Sequence, residues 1–236
     1  MKTVLVTGSS RGIGRALALS FGGAGYRVAV HCVSAKDQAE EVARQIPEAF
    51  AIAADVRKSE EVQRMIAAVI ERWGRLDIQI NNAGVSRDRR LIEMTDEEWS
   101  DLIDVNLTGA FYCLREGARV MKDQKSGHII NIASRVAFTA PEGAANYAAS
   151  KAGLLALTKT AARELGRFGV RVNAVLPGFH LTGLGATLSE KTRERIQGEH
   201  LLGRSTTTED LCRFVLNLAE NDSVSGQIFN VDNRMI

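Results

Sequence analysis

Tyr147 and Lys151 stand four residues apart in the stretch that runs from Ser134 to Lys151. On a helix that spacing puts both side chains on one face, where they can point at a common spot. A phenol beside an ammonium is the arrangement of a proton donor tuned by a neighbouring positive charge. A cation about 4 Å away at an effective dielectric of ~20 contributes ~4 kcal/mol, enough in principle to lower a phenol pKa of ~10 by about three pH units. That would bring the tyrosine near working pH, where a general acid or base is most useful. The same pair also occurs as a half-buried ring beside a solvated charge, so what surrounds it decides.

The surroundings are regular. The apolar run at 128–133 reads as a buried strand with Ser134 at its carboxyl end, and 144–168, rich in Ala and Leu, reads as the long helix that carries Tyr147 and Lys151. At the amino end, Val4-Leu5-Val6 has the unbroken apolar pattern of a strand covered on both faces. Thr7-Gly8-Ser-Ser-Arg11-Gly12-Ile-Gly14 follows, then a helical pattern from Arg15. Strand, glycine-rich turn and helix is the arrangement in which backbone N–H groups and a helix start hold a diphosphate. Gly8 would permit the turn, Gly12 close backbone approach, and Gly14 tight packing of helix on strand. The spacing G-x-x-x-G-x-G is not the commoner G-x-G-x-x-G, and as a bare string it also fits a plain tight turn.

Further strands are expected at 26–32, 50–56, 76–80, 170–176 and 226–231, alternating with helices at 35–46, 59–73, 96–121 and 208–219. Strands alternating with helices from end to end predict an α/β fold: a single Rossmann-type, doubly wound parallel sheet in a three-layer α/β/α domain spanning 1–236. Thr95-x-x-Glu98 is a capping box opening the 96–121 helix. Asn106 and Gly109 lie inside that helix, where both are poor residues. Asn106 could bond a neighbouring backbone group or hold a water there. From 179 to 205 glycines separate short amphipathic pieces, the pattern of a cover over a site or of an ordinary surface excursion.

Dinucleotide folds that prefer NAD usually place an acid at the end of the second strand. Here that strand ends His31-Cys32-Val33-Ser34, with Arg11 in the glycine loop and Lys36 nearby. Positive charge without an acid favours the phosphate of NADP.

Thirty basic and 28 acidic residues are mixed along the chain, giving a net charge of +2 and no basic stripe of the kind nucleic acid requires. Three dispersed cysteines predict a reduced compartment and show no metal-ligand spacing. With no signal peptide and no apolar run of membrane-spanning length, the expected location is the cytoplasm.

Taken together, Thr7-Gly8-x-x-x-Gly12-x-Gly14, Asp55, Asn81-Asn82-Ala83-Gly84, Asn106, Ser134, Tyr147-x-x-x-Lys151 and Pro177-Gly178 fall in the order and spacing of the short-chain dehydrogenase/reductase family. The chain resembles that family over nearly its whole length. The resemblance implies that Tyr147 protonates the substrate oxygen during reduction and that Ser134 hydrogen-bonds the same oxygen. It implies that Lys151 binds the nicotinamide ribose and depresses the phenol pKa, and that Asn106 holds a water linking Lys151 to solvent. It further implies NADPH/NADP+ bound by Gly8, Ser10, Arg11, Gly12, Ile13, Gly14, His31, Asp55, Val56, Asn82, Ala83, Gly84, Tyr147, Lys151, Pro177, Gly178 and Thr182, and no metal.

Within the family the chain looks most like bacterial β-ketoacyl-acyl carrier protein reductases, through Asn146-Tyr147-Ala-Ala-Ser-Lys151 and Gly226-Gln-Ile-Phe-Asn-Val-Asp232. That likeness implies reduction of a 3-oxoacyl thioester on acyl carrier protein or CoA. The alternative keeps the chemistry and changes the substrate to a sugar, steroid, cyclic or xenobiotic ketone. A homotetramer or homodimer is expected, as is a landing patch of Lys122, Lys125, Arg167 and Arg171 for the acidic carrier, unless those four are simply solvated. Asp232-Asn233-Arg234 departs from the Asp-Gly-Gly usual in these reductases. Val33 stands where NADP-linked relatives often carry a basic residue.

Overall fold

The computed structural model describes residues 1–180 and 190–235. Seven parallel strands form one sheet in the order β3-β2-β1-β4-β5-β6-β7. They are β1 Thr3–Val6, β2 Arg27–Cys32, β3 Ala49–Ala53, β4 Ile78–Asn81, β5 Gly127–Ile132, β6 Val170–Leu176 and β7 Ile228–Asn230. The chain order reverses between β1 and β4, so a crevice opens there beyond the carboxyl ends of the strands.

Period-two alternation builds the two cores. Val4 and Val6 of β1 face one layer, packed with Leu17 and Phe21 of α1 (Gly12–Gly23) and Leu211 and Val215 of α9 (Thr208–Glu220). Leu5, between them, faces the other layer, with Val62 and Met65 of α3 (Ser59–Trp73), Leu114 and Met121 of α5 (Gly109–Gln124) and Ala161 of α7 (Ala145–Leu165). The expected three-layer, doubly wound sheet is what forms.

Several boundaries differ from expectation. The third strand ends at Ala53, so Asp55 and Val56 lie in the loop beyond it, and the last strand is only Ile228–Asn230. The 144–168 helix ends at Leu165 and passes into a 3-10 turn, Gly166–Phe168. The helix expected at 96–121 is broken: α4 Asp96–Ile103, entered through the Thr95/Glu98 capping box, gives way to a π-helical turn, Asp104–Thr108, before α5 begins. The break falls on the residues least suited to a helix interior. Asn106 is drawn aside by Val85, and a Cβ at Gly109 would lie 2.8 Å from Val56 Cγ2, so α5 can pass the third strand's exit only as glycine.

Within the 179–205 segment the structure contains α8, Glu190–Gly198, while Thr182 lies outside the described residues. No helix among the described residues is long and apolar enough to cross a membrane.

Candidate active site

The glycine loop is built by the residues beneath it. Gly8 adopts φ +64 and Gly12 φ +58, both in the region that glycine alone occupies freely. A Cβ on Gly14 would lie 2.3 Å from Gly8 O and 2.5 Å from Asn82 Nδ2, so α1 can dock onto the loop only without one. Thr7 Oγ1 accepts from the backbone N–H of Asn82 at 2.9 Å and of Ala83 at 3.0 Å, and Asn82 Nδ2 donates to Thr7 O at 2.9 Å. Asn82 and Ala83 therefore tie the end of β4 to the loop after β1, across the switch point. Thr7 is the hub of that tie, and the reading of the sequence left it out of the site.

The first helical bond of α1 is Arg15 N to Arg11 O, at 3.1 Å. The N–H groups of Gly12, Ile13 and Gly14 precede it, with no side-chain cap and no acid in the first turn. That donor set suits a diphosphate. Ser10 and Ile13 are half-buried beside it and Arg11 is exposed at its rim.

His31 corrects an expectation. Its ring is fully buried; Nδ1 accepts from Gly8 N and Nε2 donates to Ala54 O, each at 2.8 Å. Burial pushes its pKa below the ordinary histidine value, so the ring is neutral. It supports the glycine turn from beneath and has no nitrogen left for a ligand phosphate. Asp55 is also engaged: Arg57 clamps its carboxylate at 2.7–3.1 Å, and that hydrogen bonding holds its pKa below the usual carboxylate value. Val56 is buried against Gly109.

Ser134, Tyr147, Lys151 and Asn106 converge from three elements. Ser134 stands two residues beyond β5, where Val136 N donates to its Oγ at 3.2 Å, and its hydroxyl is near enough to the Tyr147 phenol to pull that phenol's pKa down. Lys151 is buried, donates from Nζ to Ile132 O at 2.9 Å, and lies 5.7 Å from the centre of the Tyr147 ring. Asn106 Oδ1 accepts from Val85 N at 2.8 Å and its Nδ2 donates to Val85 O at 2.9 Å. A Cβ on Gly84 would stand 3.7 Å from Lys151 Nζ and 3.3 Å from Asn106 Oδ1, so the bare glycine keeps the space above the amine open. Pro177 and Gly178 follow β6 at the same end of the sheet, Gly178 with φ +85.

The electrostatic expectation is reversed in this structure. Burial raises the Tyr147 phenol above its ordinary value, against the lowering by the Ser134 hydrogen bond. The amine does not offset this, because burial drives Lys151 itself down, to about 8. Desolvation outweighs pairing for both groups.

Two supports escaped the sequence reading. Ser150 Oγ donates to Tyr147 O at 2.8 Å and lies 3.4 Å from Asn106 Nδ2, linking the two catalytic candidates. The signal was its place three residues after Tyr147, one turn along the same helix. Below, Asn81 Nδ2 bonds Asn131 Oδ1 at 2.8 Å and Asn131 Nδ2 bonds Thr158 Oγ1 at 2.9 Å, pinning α7 to the sheet through side chains. Of the expected basic patch, Arg171 is withdrawn: it bonds His128, Asn221 O and Asp222. Lys122 and Arg167 both lie over the Phe168 ring.

The uncapped donors of α1, the bare Gly84 and the buried amine together fit a dinucleotide laid across the crevice. The family model for short chain dehydrogenases matches residues 2–193. FabG of Staphylococcus aureus, a 3-oxoacyl-[acyl-carrier-protein] reductase, is 42% identical over 240 residues, which cover 99% of this chain and 98% of that one. The 3-oxoacyl-[acyl-carrier-protein] reductase of Synechocystis sp. is 38% identical over 239 residues, 100% of this chain and 97% of its own. A solved chain from Sinorhizobium meliloti 1021, assigned as a short-chain alcohol dehydrogenase, superposes with a TM-score of 0.93 at 31% identity, over 98% of this chain and 95% of that one. By the family model and these full-length relatives, this chain belongs to the short-chain dehydrogenase family, oxidoreductases that work with a nicotinamide cofactor on a carbon–oxygen centre.

Proposed function

We propose that this protein reduces the keto group of a 3-oxoacyl thioester, carried on acyl carrier protein or CoA, to the 3-hydroxyacyl thioester, using NADPH. The observation that carries the reading is the end-to-end likeness to two 3-oxoacyl-[acyl-carrier-protein] reductases. The clustering of Ser134, Tyr147 and Lys151 supports the chemistry.

The bound cofactor supplies the hydride. Ser134 donates a hydrogen bond to the substrate oxygen, where negative charge develops. Tyr147, its proton retained by the raised pKa, gives that proton up only when an alkoxide, a far stronger base, forms beside it. Lys151 holds the nicotinamide ribose once its ammonium turns from Ile132 O. Asn106 takes up the water that links Lys151 to solvent, through acceptor capacity left after Val85. The diphosphate rests on Gly8, Ser10, Gly12, Ile13 and Gly14, and Asp55, Val56, Asn82, Ala83 and Gly84 line the adenosine and ribose side. Pro177, Gly178 and Thr182 hold the carboxamide end. Arg11 and Lys36 favour the extra phosphate of NADPH, with Val33 in place of an acid; His31 has no part in that contact. Lys122, Lys125 and Arg167 remain the basic surface for an acidic carrier. The assembly expected with this reading is a homotetramer or a homodimer.

NADPH consumption with a 3-oxoacyl thioester series and a panel of cyclic ketones tests the substrate. Turnover of the thioesters is expected. Turnover of a cyclic ketone without the thioesters would move the activity to another carbonyl substrate and leave the chemistry in place.

A further inference from the structure

Asp232-Asn233-Arg234, the departure at the carboxyl end, is not left at the surface. The side chains of Asp232 and Arg234 are 0% and 9% exposed. A carboxylate and a guanidinium withdrawn from water lose solvation that only close partners restore. Arg234 bonds Asp232 Oδ2 through Nη2 at 2.6 Å and Nε at 2.7 Å. Its Nη1 lies 3.6 Å from Glu199 Oε2, just past α8. The same Glu199 oxygen pairs with Arg135, the residue after Ser134, and Arg135 Nη1 donates to Met235 O at 2.9 Å. Asp232 packs against Gly178, where a Cβ would come within 3.1 Å of its Cγ, and His200 Nδ1 lies 3.5 Å from Asp232 Oδ1. One run of ion pairs thus joins the Ser134 loop, the end of α8 and the Pro177-Gly178 turn.

We infer that Asp232, Arg234 and Glu199 are positioning residues: they clasp α8 onto the loop that carries Ser134 and hold its hydroxyl where the substrate oxygen must lie. Backbone bonds tie the Ser134 loop to β6, Ala133 N to Val175 O at 2.8 Å, and into the next helix, Ala137 N to Ser134 O at 3.1 Å; the ion pairs add its tie to α8. The loop runs from the end of β5 into α6, Val136–Thr139, a helix of only 4 residues. Arg135 spans Glu199 on one side and the carbonyl of Met235 on the other, so its planar fork sets the direction of the loop as well as its place. A hydroxyl displaced by ~1 Å from a developing charge costs up to ~10²-fold in rate. The clasp rests on the reading of Ser134 as the donor to the substrate oxygen.

A double-mutant cycle on the full chain tests both, with NADPH and a 3-oxoacyl-CoA as substrates. Arg234→Met and Glu199→Gln should each lower kcat about tenfold while the dissociation constant for NADPH stays within about twofold. In a Ser134→Ala background the same changes should cost less than about twofold, because the group they position is gone. Arg234→Lys should recover part of the loss. Equal losses in both backgrounds, or lowered melting with kcat intact, overturn the clasp and leave the proposed function standing. If Ser134→Ala leaves kcat unchanged, the role of Ser134 falls and the clasp falls with it. Should Arg234→Met not fold, Glu199→Gln carries the cycle, since that side chain is 31% exposed and its loss strands no fully buried charge.

Discussion

Asn106 grips the main chain of Val85 in both directions, accepting from its N–H at 2.8 Å and donating to its carbonyl at 2.9 Å. The π-helical turn Asp104–Thr108 is what turns this side chain inward, away from the solvent side of the α4–α5 rod. A helix pays out its amide only where local bonding replaces it, and the replacement here fixes the strand exit that carries Gly84 over Lys151. Asn106→Ala removes both Val85 hydrogen bonds and the long one to Ser150 at a site 1% exposed, and at about 1 kcal/mol for each of the two short ones the loss of stability is at least ~2 kcal/mol. Urea unfolding measures it. A midpoint equal to that of the parent protein would mean that the grip is incidental.

The neutral, doubly bonded His31 makes a prediction about cofactor choice. If Arg11 alone among the loop residues meets the extra phosphate, Arg11→Ala narrows the gap between NADPH and NADH affinity. His31→Gln, by loosening Gly8, weakens both cofactors alike. Because burial depresses the His31 pKa, the folded ring stays neutral in mild acid while the unfolded chain takes up the proton; stability is therefore lost as pH falls below ~6.5. The NADPH preference itself should not rise from pH 7.5 to 5.5, because over that window the ribose phosphate, with a second pKa of ~6, only loses charge. A preference that rises on acidification would give the phosphate back to a protonated histidine.

The sheet and the shared face of Tyr147 and Lys151 were legible because both rest on local patterns. Unbroken apolar runs mark strands covered on both faces, and Tyr147 and Lys151 declare a shared face by spacing alone. His31 misled because a strand-end histidine beside a glycine loop reads the same whether its ring faces ligand or core; only the partner carbonyl of Ala54, far along the chain, settles it. The pKa expectation failed for a related reason: charge proximity is visible in a sequence and burial depth is not. The Arg135–Glu199–Arg234–Asp232 run joins distant segments, and no spacing rule connects them.

Gly14 is the tightest point of the cradle. Gly14→Ala places a methyl group 2.3 Å from Gly8 O and 2.5 Å from Asn82 Nδ2, and neither the Gly8 backbone nor an amide already bonded to Thr7 O and Gly8 O is free to retreat. Overpacking of this kind costs ~1–3 kcal/mol, and displacement of α1 moves the donors aimed at the diphosphate. Fluorescence titration with NADPH should show affinity reduced by an order of magnitude or more, ~1.4 kcal/mol per tenfold. Gly23→Ala, on the same helix with nothing within 4 Å of the added carbon, is the control that should bind normally. Equal binding by the two variants would remove the steric argument.

Lys151 is held at a cost to the fold. Its amine titrates at 10.5 when exposed and at about 8 in the folded chain, through desolvation. Between those values the unfolded chain binds more protons, so this residue's contribution to stability improves with rising pH, and below about 8 its penalty is fully present. The displacement corresponds to ~3 kcal/mol, offset by ~1 to 2 kcal/mol for the hydrogen bond to Ile132 O. Lys151→Met should therefore abolish reduction and yet raise the melting temperature at pH 7 by a few degrees, at ~2–4 °C per kcal/mol for a chain of this size. The advantage should shrink by pH 10, where the parent amine is already neutral in the fold. Calorimetry of the two proteins at both pH values decides it: a variant that melts below the parent at pH 7, or gains equally at both, would show that the amine is not the desolvated group its burial implies.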